Sequence, residues 1–162
     1  MRTINNYKLS DNFSFYEFIE GVFMGKAGHE INWKNIDQCD QEKQKEMALA
    51  LQKVRKEINV NFKSDIDESK LIGLQITSGW RCKEWELLRG RSGLGQHPIA
   101  AADVVPTNVS KELSDKIILW LYDKYSSRTE GWEGGFAIKR PTKTTTGFAH
   151  FDIRSNNARW EY

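Results

Sequence analysis

Cysteine, histidine and long apolar runs are scarce in this chain, and each scarcity excludes something. Cys39 and Cys82 are too few and too far apart for a zinc finger or a disulfide framework, so they read as free thiols. No apolar run approaches the ~20 residues that span a bilayer, which excludes membrane insertion. The stretch from Met1 to Lys8 has no apolar segment of the signal-peptide kind. The expectation is therefore a protein that is cytoplasmic as synthesised until another agent releases it. The net charge is only +2, and no lysine/arginine run is long enough to track phosphates, so nucleic acid is not an expected partner. Arg89-Gly90-Arg91-Ser92-Gly93-Leu94-Gly95 is glycine-rich but lacks the phosphate-loop pattern, which argues against nucleotide binding. No internal repeat, linker or low-complexity tract is present, and oligomeric state is not legible.

What is present suits a globular fold. The 162 residues, 39% apolar and 28% charged, can bury a sizeable core in one domain spanning residues 1–162. Six tryptophans and five tyrosines are used mainly in that core, or in part as a stacking wall for sugar or peptide.

Ser14-Phe15-Tyr16-Glu17 has the form of a capping box and predicts a helix to about Phe23, burying Phe15, Phe18 and Val22. Residues 25–37 read as irregular, with His29 solvated in a loop. Asp40 is the expected N-cap of a helix over 41–58, whose Met47, Leu51, Val54 and Ile58 make one apolar stripe. Leu71 to Thr77 predicts a buried strand, and Ser78 to Arg81 a turn. Cys82 to Leu88 predicts a short helix, and Ala101 to Val105 a strand ending at Pro106. Ser110 caps a helix with Leu113, Ile117, Ile118 and Leu121 inward. Gly134 to Ile138 and Phe148 to Ile153 predict two further strands. Without regular βαβ spacing, the expected class is α+β, a small antiparallel sheet flanked by helices.

Two of the three histidines fall in short stretches that also hold an aspartate: Gln96-His97-Pro98-Ile99-Ala100-Ala101-Ala102-Asp103 and Gly147-Phe148-Ala149-His150-Phe151-Asp152-Ile153-Arg154. A lone histidine in an apolar strand is ordinarily a satisfied core or surface group. Two such stretches in one small chain point to metal. Two imidazoles with one carboxylate make a zinc set that keeps one position open for water, as catalytic sites do.

Ser78-Gly79-Trp80-Arg81, Gly95-Gln96-His97 with Asp103, and Phe148-Ala149-His150-Phe151-Asp152-Ile153-Arg154 together resemble the zinc D-Ala-D-Ala carboxypeptidase family of metallopeptidases. The similarity is to its small single-domain phage and bacterial cell-wall branch. Leu9 to Ser14 and Ala158-Arg159-Trp160 resemble that group's ends, so the likeness covers nearly the whole chain. The resemblance implies Zn2+ at the sheet, held by His97, Asp103 and His150. It implies Arg81 on the substrate carboxylate or scissile carbonyl, with Gln96 beside it in substrate binding. The implied partner is a peptidoglycan stem peptide. The implied activity is its hydrolysis, of carboxypeptidase or endopeptidase/endolysin type, at the cell wall after release from a phage-infected or bacterial cell. Three departures stand out. The step from His97 to Asp103 is one residue shorter than the family's, the glycine within that step is an alanine or lost, and Gly95 replaces the usual serine. The family's E-x-x-H glutamate is here Gly147. Asp152 is then the nearest carboxylate and is taken as the catalytic general base, with orientation of a ligating imidazole as the alternative role. These departures also motivate an alternative: a non-catalytic zinc-binding structural or wall-binding module.

Overall fold

In the computed structural model, which describes residues 6–67, 69–127 and 129–162, the chain is α+β. Its principal elements run in the order α1 (Phe15–Ile19), α2 (Gly25–Lys34), α3 (Gln41–Asn61), β1 (Gly73–Ser78), α4 (Lys83–Leu88), β2 (Ala101–Thr107), α5 (Lys111–Tyr125), β3 (Gly135–Lys139), β4 (Phe148–Asp152) and β5 (Ala158–Glu161). The strands form one sheet in the order β1-β2-β4-β3-β5. That sheet is mixed rather than wholly antiparallel. β3 pairs antiparallel with β4, but β5 runs parallel to β3. β5 escaped the sequence reading because Ala158-Arg159-Trp160-Glu161 is polar and only partly buried, as an edge strand can be.

Contacts group the chain into two units, Met1–Gln52 with Ile76–Ala102, and Lys53–Gln75 with Asp103–Tyr162. The division runs through α3, β1 and β2, each a continuous element.

In the first unit, Glu17 accepts from the Ser14 backbone N–H and hydroxyl at 2.7 and 2.9 Å and fixes the start of α1. Phe15, Phe18 and Ile19 are then fully buried. The helix stops at Ile19, short of Phe23, and Val22 is 57% exposed instead of buried. The cause is close approach. Gly21 lies against the backbone of Ser78, where a Cβ would sit 2.7 Å from its Cα, and the Phe23 N–H donates to Thr77. Residues 25–34, expected as irregular, form α2. Its buried Asn32 donates to the carbonyls of Ile19 and Trp80 and accepts from the Cys82 N–H, so a polar side chain fixes the helix. Asp40 caps α3 as expected, its carboxylate accepting from the Lys43 N–H at 3.1 Å. Met47 and Leu51 are fully buried.

In the second unit, Val54 and Ile58 continue the α3 stripe into burial. Ser110 caps α5, accepting from the Leu113 N–H at 3.2 Å, with Ile117, Ile118 and Leu121 inward and Leu113 half-buried. Tyr125, Trp132, Phe136 and Phe151 meet in edge-on and tilted ring contacts, which is where several of the aromatics are spent. β2 passes through Pro106 to Thr107, one turn of the pleat beyond the expected end. The reading of the amino-terminal residues 1–5 lies outside the described residues. Among the described residues, no helix is long and apolar enough to cross a membrane.

Candidate metal centre

β4 alternates. Phe148, His150 and Asp152 share one face, and Ala149 and Phe151 take the other. β2 is its neighbour in the sheet and carries Asp103. The His150 Nδ1 lies 2.7 Å from Asp103 Oδ1, and its Nε2 lies 3.2 Å from Asp152 Oδ2. The imidazole is therefore held by a carboxylate at each nitrogen. Trp160 packs its ring 5.0 Å from it, centroid to centroid.

Asp152 is fully buried and heavily engaged. Besides His150, it accepts from Arg154 Nε and Nη2 at 2.8 and 2.6 Å and from the backbone N–H groups of Arg154 and Gly135 at 3.1 and 3.0 Å. Burial alone would raise its pKa. The hydrogen bonds from His150 and Arg154 outweigh that and hold the carboxyl below the usual carboxylate range. His150 shows the converse. Burial lowers its pKa, and the bonds to Asp103 and Asp152 outweigh it, raising it above the ordinary imidazole value. Gly135 makes this arrangement possible. It faces Asp152 across β3–β4, and a Cβ there would fall 2.1 Å from Asp152 Oδ2.

His97 lies in the turn before β2 and is 5% exposed. Its Nδ1 sits 2.6 Å from the Gly79 carbonyl. A carbonyl only accepts, so Nδ1 carries a proton, and in the neutral ring Nε2 carries the lone pair. The Arg81 N–H donates to the His97 carbonyl at 3.2 Å, so the turn after β1 grips His97 by ring and backbone.

One donor atom each from His97, Asp103 and His150 lie within 4.8 Å of one another. The chemistry of the set fits a divalent metal: two imidazole nitrogens and one carboxylate oxygen, with one imidazole tautomer fixed by a backbone acceptor. The three residues expected as ligands are thus brought together. Arg81 is mostly buried, its Nε 2.8 Å from Glu86 Oε1. Gln96 is half-buried, and its carbonyl accepts from the Ile99 N–H at 2.8 Å, closing the turn that carries His97.

Sequence reasoning passed over Glu86, Gly135 and Trp160. Glu86 lies in the expected helix over 82–88 but drew no role there. Gly135 and Trp160 owe their roles to partners on other strands, which no local pattern reveals. Comparison of the chain with models of known protein families, with curated proteins and with solved structures gave no match.

Proposed function

We propose that the chain is a zinc-dependent peptidase that hydrolyses a peptide bond in the peptidoglycan stem, as a D-Ala-D-Ala carboxypeptidase or an endolysin-type endopeptidase. The observation that carries this reading is the convergence of His97, Asp103 and His150 donors within 4.8 Å. Three protein ligands leave a fourth position for water or substrate, which is the catalytic pattern. When bound, zinc supplies Lewis-acid polarisation of a peptide carbonyl and makes water acidic enough to act near neutral pH. His97 presents Nε2 because Gly79 holds the proton on Nδ1. His150 presents Nδ1 while Asp152 accepts its Nε2–H, so Asp152 orients the ring and keeps its tautomer. Arg81 receives the substrate carboxylate or the developing oxyanion through its planar guanidinium.

A second reading rests on Asp152 and Gly147. The Asp152 carboxylate is occupied by His150, Arg154 and Gly135, and the position three residues before His150 has no side chain. That combination favours a metal-binding wall or assembly module without hydrolytic activity.

Purified peptidoglycan separates the two. The peptidase reading expects new amino groups to appear with zinc-loaded protein and to stop appearing after chelation. Retention on the wall with no amine release supports the binding module instead.

A further inference from the structure

Glu86 is a buried carboxylate for which the proposed reaction gives no role. It lies in α4, is 3% exposed, and touches two guanidinium groups through the same oxygen. Arg81 Nε is 2.8 Å from Oε1 and Arg91 Nη1 is 3.0 Å from it. A carboxylate in such a position is costly to bury unless charge and hydrogen bonds compensate it, so the arrangement is built rather than incidental. The backbone adds to it. The Glu86 carbonyl accepts from the N–H groups of Arg89 and Arg91 at 3.2 and 3.0 Å, and the Glu86 N–H donates to Cys82 at 3.2 Å.

We propose that Glu86 is a positioning residue for Arg81, fixing the guanidinium whose backbone N–H is already bonded to the metal-ligand residue His97. The His97 carbonyl accepts from the Arg81 main-chain N–H at 3.2 Å, and the ion pair with Glu86 engages its side chain at 2.8 Å. A guanidinium free to rotate presents its fork in the right plane only part of the time, whereas one held in a buried ion pair samples fewer orientations toward a substrate carboxylate or oxyanion. Arg91, half-exposed on the glycine-rich loop, shares the same carboxylate oxygen and steadies it. Its backbone bond to Glu86 gives that loop a function that its lack of a phosphate motif left open.

This inference rests on the peptidase reading for its catalytic consequence but not for its structural one, so it is tested by two measurements. The first is the 15Nε order parameter of Arg81 in zinc-loaded protein, expected to be as high as the rigid backbone (roughly 0.85) in the wild type and below ~0.6 in Glu86→Gln. An unchanged order parameter in the variant overturns the proposal whether or not the protein is a peptidase. The second is a double-mutant cycle in cleavage of a synthetic stem peptide ending in D-Ala-D-Ala. Glu86→Gln should lower kcat/KM by ~10- to 100-fold in the wild-type background at unchanged zinc content, and by less than about threefold in the Arg81→Ala background. Equal losses in both backgrounds would mark Glu86 as merely structural and overturn it. A wild type that cleaves no peptide overturns the peptidase reading alone, and the order parameter still decides the role of Glu86. If Glu86→Gln does not fold, Glu86→Asp takes its place, because it keeps the charge but withdraws it by one methylene from Arg81.

Discussion

Asp152 illustrates how much a single carboxylate can be asked to do. Five hydrogen-bond donors converge on it: His150 Nε2, Arg154 Nε, Arg154 Nη2 and the backbone N–H groups of Arg154 and Gly135. A general base needs an oxygen that reaches a water and changes protonation during turnover. Asp152 is buried and held ionised by its neighbours, a situation suited to orienting His150. Asp152→Asn should therefore weaken zinc affinity by ~10- to 100-fold, while the rate at saturating zinc stays near that of the wild type. Chelator competition and steady-state kinetics on the same samples check it. Unchanged affinity with a rate loss of ~10²- to 10⁴-fold would make Asp152 the base instead. The sequence placed Asp152 on the His150 face of a strand, and strand alternation alone was enough for that. It left the two roles open, because the choice depends on Arg154 and Gly135. Arg154 was visible only as a motif letter, and Gly135 sits on a different strand.

At the scale of elements, the β3–β4 register explains why a glycine opens β3. Gly135 pairs with Asp152, Ala137 with His150, and the small residues leave the opposite strand room for its polar side chains. Gly135→Ala should push the Asp152 carboxylate away from His150, destabilise the fold by ~1–3 kcal/mol as overpacking does, and weaken zinc binding. Thermal unfolding and chelator competition measure the two effects, and a variant with wild-type zinc affinity would show that Asp152 does not depend on this space. α3 was legible because its four apolar positions recur at helical spacing and Asp40 precedes them. α2 was not, because its inward face carries Gly28 and Asn32 in place of apolar residues. Asn32 replaces hydrophobic burial with three hydrogen bonds to Ile19, Trp80 and Cys82, partners that only the folded chain supplies. β5 escaped for a related reason: it is held by pairing with β3 rather than by an apolar face.

For the whole molecule, the α+β class followed from the irregular alternation of helical and strand-like stretches; the two histidines stood out by their rarity, and the choice of Asp103 as the third ligand came from the family resemblance. Asp103 and His150 are 47 residues apart and meet because β2 and β4 are neighbours in the sheet. No local pattern encodes that adjacency, so residue types and the resemblance could nominate the ligands but only the fold could bring their donor atoms together. The central claim is that these donors hold zinc, and elemental analysis of purified protein tests it most directly. About one zinc per chain is expected in the wild type, with the metal lost in both His97→Ala and His150→Ala. Full zinc occupancy in both variants, with their folds intact, would contradict it.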